Sequence, residues 1–96
     1  MTFAIVHNLA ARRFETTVEG YTAVLEYEER GKALAFTHTY VPVELRGRGV
    51  AAELTAAALA HARSRGVRVV PECSYVAAYL KKHREHADLV AGESGG

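Results

Sequence analysis

One stretch constrains this chain more than any other: the run from Val50 to Arg65, built of alanine, leucine and other strong helix formers, closed in front by Gly49 and behind by Gly66. An apolar stripe through Val50, Leu54, Ala57, Ala58 and Ala62 gives this helix one face to bury. Segments of strand character lie on both sides of it. A strand, a helix and a second strand of one sheet form a crossover, which makes the two strands parallel neighbours with the helix packed on one sheet face. The many alanines let that helix approach the sheet closely.

The first half of the chain reads as strands. Residues 3–7 are a short apolar run, and residues 13–18, 22–28 and 33–41 are enriched in β-branched and aromatic side chains. Turn signals at Glu19-Gly20 and Arg30-Gly31-Lys32 make an antiparallel meander the natural arrangement, and Pro42, which has no N–H to donate, ends the last of these strands. After the helix, Val67 to Pro71 reads as a short buried strand and Ser74 to Lys82 as a second helix. The expected fold is therefore α/β in the α+β sense: a mixed, mostly antiparallel sheet with a crossover helix and a C-terminal helix.

A chain of 96 residues allows one small core. The expected organisation is a single domain over residues 1–91 with a flexible tail at 92–96. The balance of 12 Lys and Arg against 11 Asp and Glu argues against a general nucleic-acid binder, which carries a pronounced basic patch. A lone cysteine excludes an internal disulfide framework and a cysteine-based zinc cluster. No metal is expected from the histidines, since His61, His83 and His86 lack partners at ligand spacing, and His7 is uninformative. No apolar segment is long enough to span a bilayer as a helix. The expectation is a cytoplasmic protein, monomeric or weakly dimeric, with no membrane partner.

Chemistry concentrates in the turn that opens the helix, Leu45-Arg46-Gly47-Arg48-Gly49-Val50-Ala51-Ala52. Gly47 and Gly49 can adopt positive φ and, lacking Cβ, let a ligand reach the main chain. The first amides of a helix have no internal acceptor and stand at the positive end of its dipole, so this turn is built to cradle phosphate. Arg46 and Arg48 add positive charge. A tight turn with solvated arginines is the competing reading of the same residues.

The string Arg46-Gly47-Arg48-Gly49-Val50-Ala51 fits the acetyl-CoA pyrophosphate signature of the Gcn5-related N-acetyltransferases, Gln/Arg-x-x-Gly-x-Gly/Ala. From His38 through Val90 the chain resembles the minimal branch of that superfamily, known as YjdJ-like or N-acetyltransferase domain-containing protein 1-like. The shared features are Val41-Pro42, Leu45 to Gly49, Ala62-Arg63, Val69-Val70-Pro71, Cys73, Val76 to Tyr79 and His86 to Val90. The resemblance implies a sheet splayed open beside the signature strand with acetyl-CoA in the gap. It further implies that the amides of Arg48, Gly49, Val50 and Ala51 hold the pyrophosphate, that Arg46 and Arg48 flank it, and that Val41 and Val43 lie on the strand that pairs with the pantetheine amides.

The same resemblance implies transfer of an acetyl group to a primary amine, on a small molecule or a protein lysine. Three catalytic candidates follow. Tyr79 falls near the position where the wider family carries a tyrosine that protonates the departing thiolate. Cys73, at a strand-to-helix junction that favours thiolate, is a candidate either to protonate the leaving sulfur or to accept the acetyl group itself. His38, on the strand before the signature, is the candidate general base, imidazole being the side chain that titrates nearest neutrality. Glu44 and Glu72, close to the same strand ends, are candidate bases through water. Each has a plain alternative in packing or solvation. The basic block Lys81 to Arg84 is read as a solvated helix end, contact with the CoA 3′-phosphate being the alternative, and Leu89 and Val90 are expected to pack back on the core. The competing function classes are a CoA-binding module with little or no transferase activity and a nucleic-acid binder using Arg46, Arg48, Arg63, Arg65 and Arg68.

Overall fold

In the computed structural model, which describes residues 3–90, a five-stranded sheet runs in sequence order. Its strands are β1 (Val6–Asn8), β2 (Arg13–Val18), β3 (Tyr21–Arg30), β4 (Ala33–Tyr40) and β5 (Arg68–Pro71). The first four pair antiparallel, and β5 pairs parallel to β4 after the crossover through α1 (Val50–Arg65). Helix α2 (Ser74–Lys82) follows, then a 3-10 segment over Arg84–Leu89. The expected α+β architecture is the observed one. The expected tail at 92–96 lies outside the described residues.

Alternation along the strands sets the core. Phe14, Thr16, Ala23, Leu25, Tyr27 and Phe36 are buried, and α1 covers them with Val50, Leu54, Thr55, Ala58, Leu59 and Ala62. Leu59 and Thr55 widen the apolar stripe beyond its expected members. Thr55 is tolerated there because its hydroxyl donates to the Ala51 carbonyl at 2.8 Å. Emptying a fully buried aromatic such as Phe36 costs about 3–5 kcal/mol, a large share of what a domain of this size has.

The boundaries of four strands differ from the expected ones, β1 ending at Asn8, β3 beginning at Tyr21 and β5 at Arg68. The apolar run at 3–7 joins the sheet only from Val6, because the Phe3 amide donates to Glu53 Oε1 on α1 at 3.1 Å instead of to a ladder. Strand β3 runs on to Arg30, since its charged end still pairs with Ala33–Ala35 although it reads as polar. Strand β4 stops at Tyr40, so Val41 and Val43 do not lie on it as expected. Pro42 breaks the ladder, and the chain folds into a 3-10 turn over Val43–Leu45 closed by Leu45 N to Pro42 O (2.9 Å) and Arg46 N to Val43 O (3.3 Å). Leu89 is buried as expected, and Val90 forms a parallel bridge with Val69 on the outer edge of β5.

At the β1 end of the sheet a small aromatic cluster clasps strand to helix. His7 stacks on Phe14 with centroids 4.2 Å apart, and its Nε2 lies 2.6 Å from the Tyr27 hydroxyl. The edge of His61, from α1, meets His7 at 4.4 Å, and His61 Nε2 is buried with no hydrogen-bond partner among the described residues. Burial holds both imidazoles below their ordinary pKa, and the nearby Arg65 guanidinium adds to this.

Candidate active site

Between β4 and β5 the sheet opens. Their pairing ends at Phe36 and Pro71, and the Cys73 amide donates to the Phe36 carbonyl at 2.8 Å as the chain turns into α2. Strand β4 continues through Thr37–Tyr40, paired to β3 on one side only. Its register shifts opposite Glu26 and Tyr27, so Thr37 is an extra residue and the strand bends there. The splay comes from the fold itself, as a diverging chain leaves one strand edge without a neighbour.

Beyond Tyr40 the chain passes through the 3-10 turn into the glycine turn. Gly47 and Gly49 stand at φ +80° and +81°, in the left-handed region that glycine occupies freely. Gly49 is the N-cap of α1, and the first amide to find an acceptor there is Glu53, which donates to the Gly49 carbonyl at 3.1 Å. Among the described residues the amides of Gly47, Arg48, Gly49, Val50, Ala51 and Ala52 donate to nothing in the chain. A Cβ added at either glycine would meet no atom within 4 Å, so open space lies against this loop. A row of unpaired N–H groups at the positive end of a sixteen-residue helix, beside the open space at Gly47 and Gly49, fits a pyrophosphate in charge and hydrogen-bonding.

The arginines are less free than expected. Arg46 folds back so that its Nε donates to the Val41 carbonyl at 3.0 Å, occupying one main-chain acceptor just past the strand end. Arg48 reaches the hairpin between β2 and β3, where it pairs with Glu19 at 3.3 Å. Both pairs are exposed and exchange readily with solvent or an anion.

Cys73 and Thr39 meet at the splay, the Thr39 hydroxyl lying 3.1 Å from Sγ. Burial pushes the thiol pKa up, but the Thr39 hydroxyl and the amides of Val76, Tyr75 and Thr39 around the sulfur outweigh it and hold the thiol below its ordinary range. His38 is exposed on β4 opposite Glu26. Neighbouring residues of a strand point to opposite faces, so with Thr39 turned toward Cys73, His38 stands on the other face of the sheet. Glu44 is exposed in the 3-10 turn. Glu72 is committed to an ion pair with Arg30, including an Nη2 to Oε1 contact of 3.0 Å, and so is not the free base it was expected to be.

Tyr79 stands on the side of α2 that faces the start of α1. There Ala52, Tyr75, Ala78, Tyr79, Lys82 and His83 line a cleft of about 280 Å³. Tyr79 stacks on His83 with centroids 4.1 Å apart and stands 6.4 Å from the Tyr75 ring. Burial, helped by the Glu85 carboxylate, raises the Tyr79 pKa and keeps its phenol protonated. Thr39 and Tyr75 escaped the sequence reading. The spacing of Tyr75, Tyr79 and His83, one helical turn apart each time, is the signal that places them on one face. Among the described residues no three His, Cys, Asp or Glu side chains converge as a metal site would require.

A meander opened beside its fourth strand, with a glycine-turned helix start at the opening, is the architecture of the GCN5-related N-acetyltransferase fold. The family model described as GCN5-related N-acetyl-transferase matches residues 13–89, and the chain belongs to that family. Among curated relatives it is 34% identical over 82 residues to Protein NATD1 of Mus musculus, covering 82% of this chain and 74% of that protein. The Homo sapiens NATD1 matches at the same 34%, with 73% of its length covered. The solution NMR structure of a GCN5-like protein from Staphylococcus aureus superposes with a TM-score of 0.74 over 97% of this chain and 92% of that one. At 24% identity it speaks to the fold.

Proposed function

We propose that this protein is an acetyl-CoA-dependent N-acetyltransferase acting on a primary amine. The observation that carries the reading is the run of amides from Gly47 to Ala52 that donate to nothing among the described residues, beside two glycines with open space where a Cβ would stand. In this reading the amides of Arg48, Gly49, Val50 and Ala51 hold the pyrophosphate, with the exposed Arg46 and Arg48 exchanging their present partners for it. The pantetheine runs along the unpaired side of β4 toward Cys73, beside Val41 and Val43, which contribute from just beyond the strand. Acetyl-CoA supplies the activated acyl group.

The residues around the thioester divide the proton work. A base must take the proton of the amine, and His38, exposed beside Glu26, is suited to an acceptor arriving from the open sheet face. An acid must protonate the leaving sulfur, and a phenol held protonated, as in Tyr79, meets that need. A second route, through acetyl transfer to Cys73, is favoured by one specific observation: the contact with Thr39 and the surrounding amides stabilises the thiolate that a nucleophile requires.

Titration of labelled protein with acetyl-CoA tests the binding step. The amide resonances of Gly47 to Ala51 are expected to move first and furthest, and the absence of movement at saturating ligand overturns the assignment. A panel of primary amines, read by thiol release from acetyl-CoA, tests transfer. Binding with no release by any amine assigns the chain as a CoA-binding module instead. An acetyl adduct on intact protein that disappears in Cys73→Ala supports the covalent route, whereas full turnover by that variant eliminates it.

A further inference from the structure

Of the two arginines in the signature turn, only Arg48 is held by a charge. Arg46 donates to a neutral carbonyl, whereas the Arg48 guanidinium lies 3.3 Å from a carboxylate oxygen of Glu19. Glu19 has no second ion-pair partner among the described residues. The pair ties the tip of the β2–β3 hairpin to the turn that opens α1.

Glutamate is an unusual residue for that tip. Val18 and Tyr21 face each other across a two-residue loop, in which Glu19 and Gly20 stand at φ +55° and +84°. Positive φ at both positions is the pattern of a type I′ turn, which favours asparagine, aspartate or glycine before the closing glycine. A glutamate in the left-handed region is strained, and asparagine would relieve part of that strain. The turn therefore does not call for this side chain, and the contact its carboxylate makes is with the cradle.

Building on the acetyl-CoA reading above, we infer that Glu19 is a built-in competing anion: it occupies Arg48 while the cradle is empty, yields it to the diphosphate, and takes it back as CoA leaves. Carboxylate and phosphate seek the same guanidinium donors, so the two anions compete for one side chain. Both members of the present pair are exposed, which keeps the exchange cheap, and Glu19 tempers affinity without closing the site. Because the rival is already attached to the hairpin, its return favours departure of the carrier, and the effect falls chiefly on the dissociation rate.

Calorimetric titration of the full chain with acetyl-CoA, for the wild type, Glu19→Gln, Arg48→Ala and the double variant, tests this. Glutamine keeps the length of the side chain and the strained backbone and removes only the charge. Glu19→Gln is expected to bind about two- to fivefold more tightly, the scale of one exposed ion pair, with the gain appearing as slower dissociation in stopped flow. In the Arg48→Ala background the same substitution is expected to change nothing. A gain that persists without Arg48 shows repulsion at a distance and overturns the competing role. Unchanged or weaker binding by Glu19→Gln overturns it as well, while leaving the carrier assignment standing. Failure of the wild type and every variant to bind acetyl-CoA overturns the carrier assignment, and the inference with it.

Discussion

Replacing Gly49 by alanine separates the strain of the signature turn from its use. At φ +81° a residue with a Cβ is strained by about 1–2 kcal/mol, and a Cβ there meets no protein atom within 4 Å, so no clash is added. In a domain of this size that strain lowers Tm by about 4–16 °C. Gly31, in the hairpin between β3 and β4, provides the control: its φ is +61° and its Cβ space is equally open, but it lies away from the cradle. Gly31→Ala is therefore expected to lose stability on the same scale. The two variants part when ligand is added. Acetyl-CoA at about a hundred times Kd stabilises the wild type by about 2.7 kcal/mol, a gain in Tm of about 10–20 °C. Gly31→Ala should retain that gain, whereas in Gly49→Ala the methyl occupies space the phosphate needs and the gain should fall below half. Thermal melts of the three proteins with and without acetyl-CoA are the assay. A full ligand-induced gain in Gly49→Ala refutes the claim that a diphosphate closes onto this backbone.

Two further outcomes follow from the electrostatics. Thr39→Val removes the largest of the influences that lower the Cys73 pKa, so the pH midpoint of the Cys73 13Cβ resonance should rise, and an unmoved midpoint would contradict the Thr39 contact. The folded-state pKa values of His7 and His61 lie below the unfolded value of 6.5, so the unfolded chain binds more protons in that range. Their contribution to stability is complete above pH 6.5 and is lost as pH falls from there through the folded values. Arg65, Glu29 and the Tyr27 hydroxyl complete the charges and polar groups facing the pair. Melts between pH 7.5 and 5 should show a declining Tm, and His61→Phe should flatten the decline; an unchanged slope would show that acid acts elsewhere.

The frame of the fold was legible because its strongest signals are local. Gly49 and Gly66 bracket α1 where they stand in the sequence, and the span of α2 emerges as read. The misreadings came from partners distant in sequence. Phe3 looks like strand but is held by Glu53, and the polar end of β3 looks like loop but is held by Ala33–Ala35. The candidate site divides the same way. Unpaired amides at a helix start can be foreseen from two glycines, whereas Arg30 engaging Glu72, or Thr39 touching Cys73, depends on how separate segments meet. Val41 and Val43 were placed on the strand by the family resemblance alone, although Pro42 between them had already been read as the strand's end.

The notch between β4 and β5 has a kinetic consequence. Its inner corner is fastened by the Cys73 amide on the Phe36 carbonyl, and its width is set by where two strands part company. The edge of β4 beyond Phe36 is thus set before any guest arrives, and under the proposed function docking starts from a preformed strand edge, with differences among guests expected chiefly in their rate of departure.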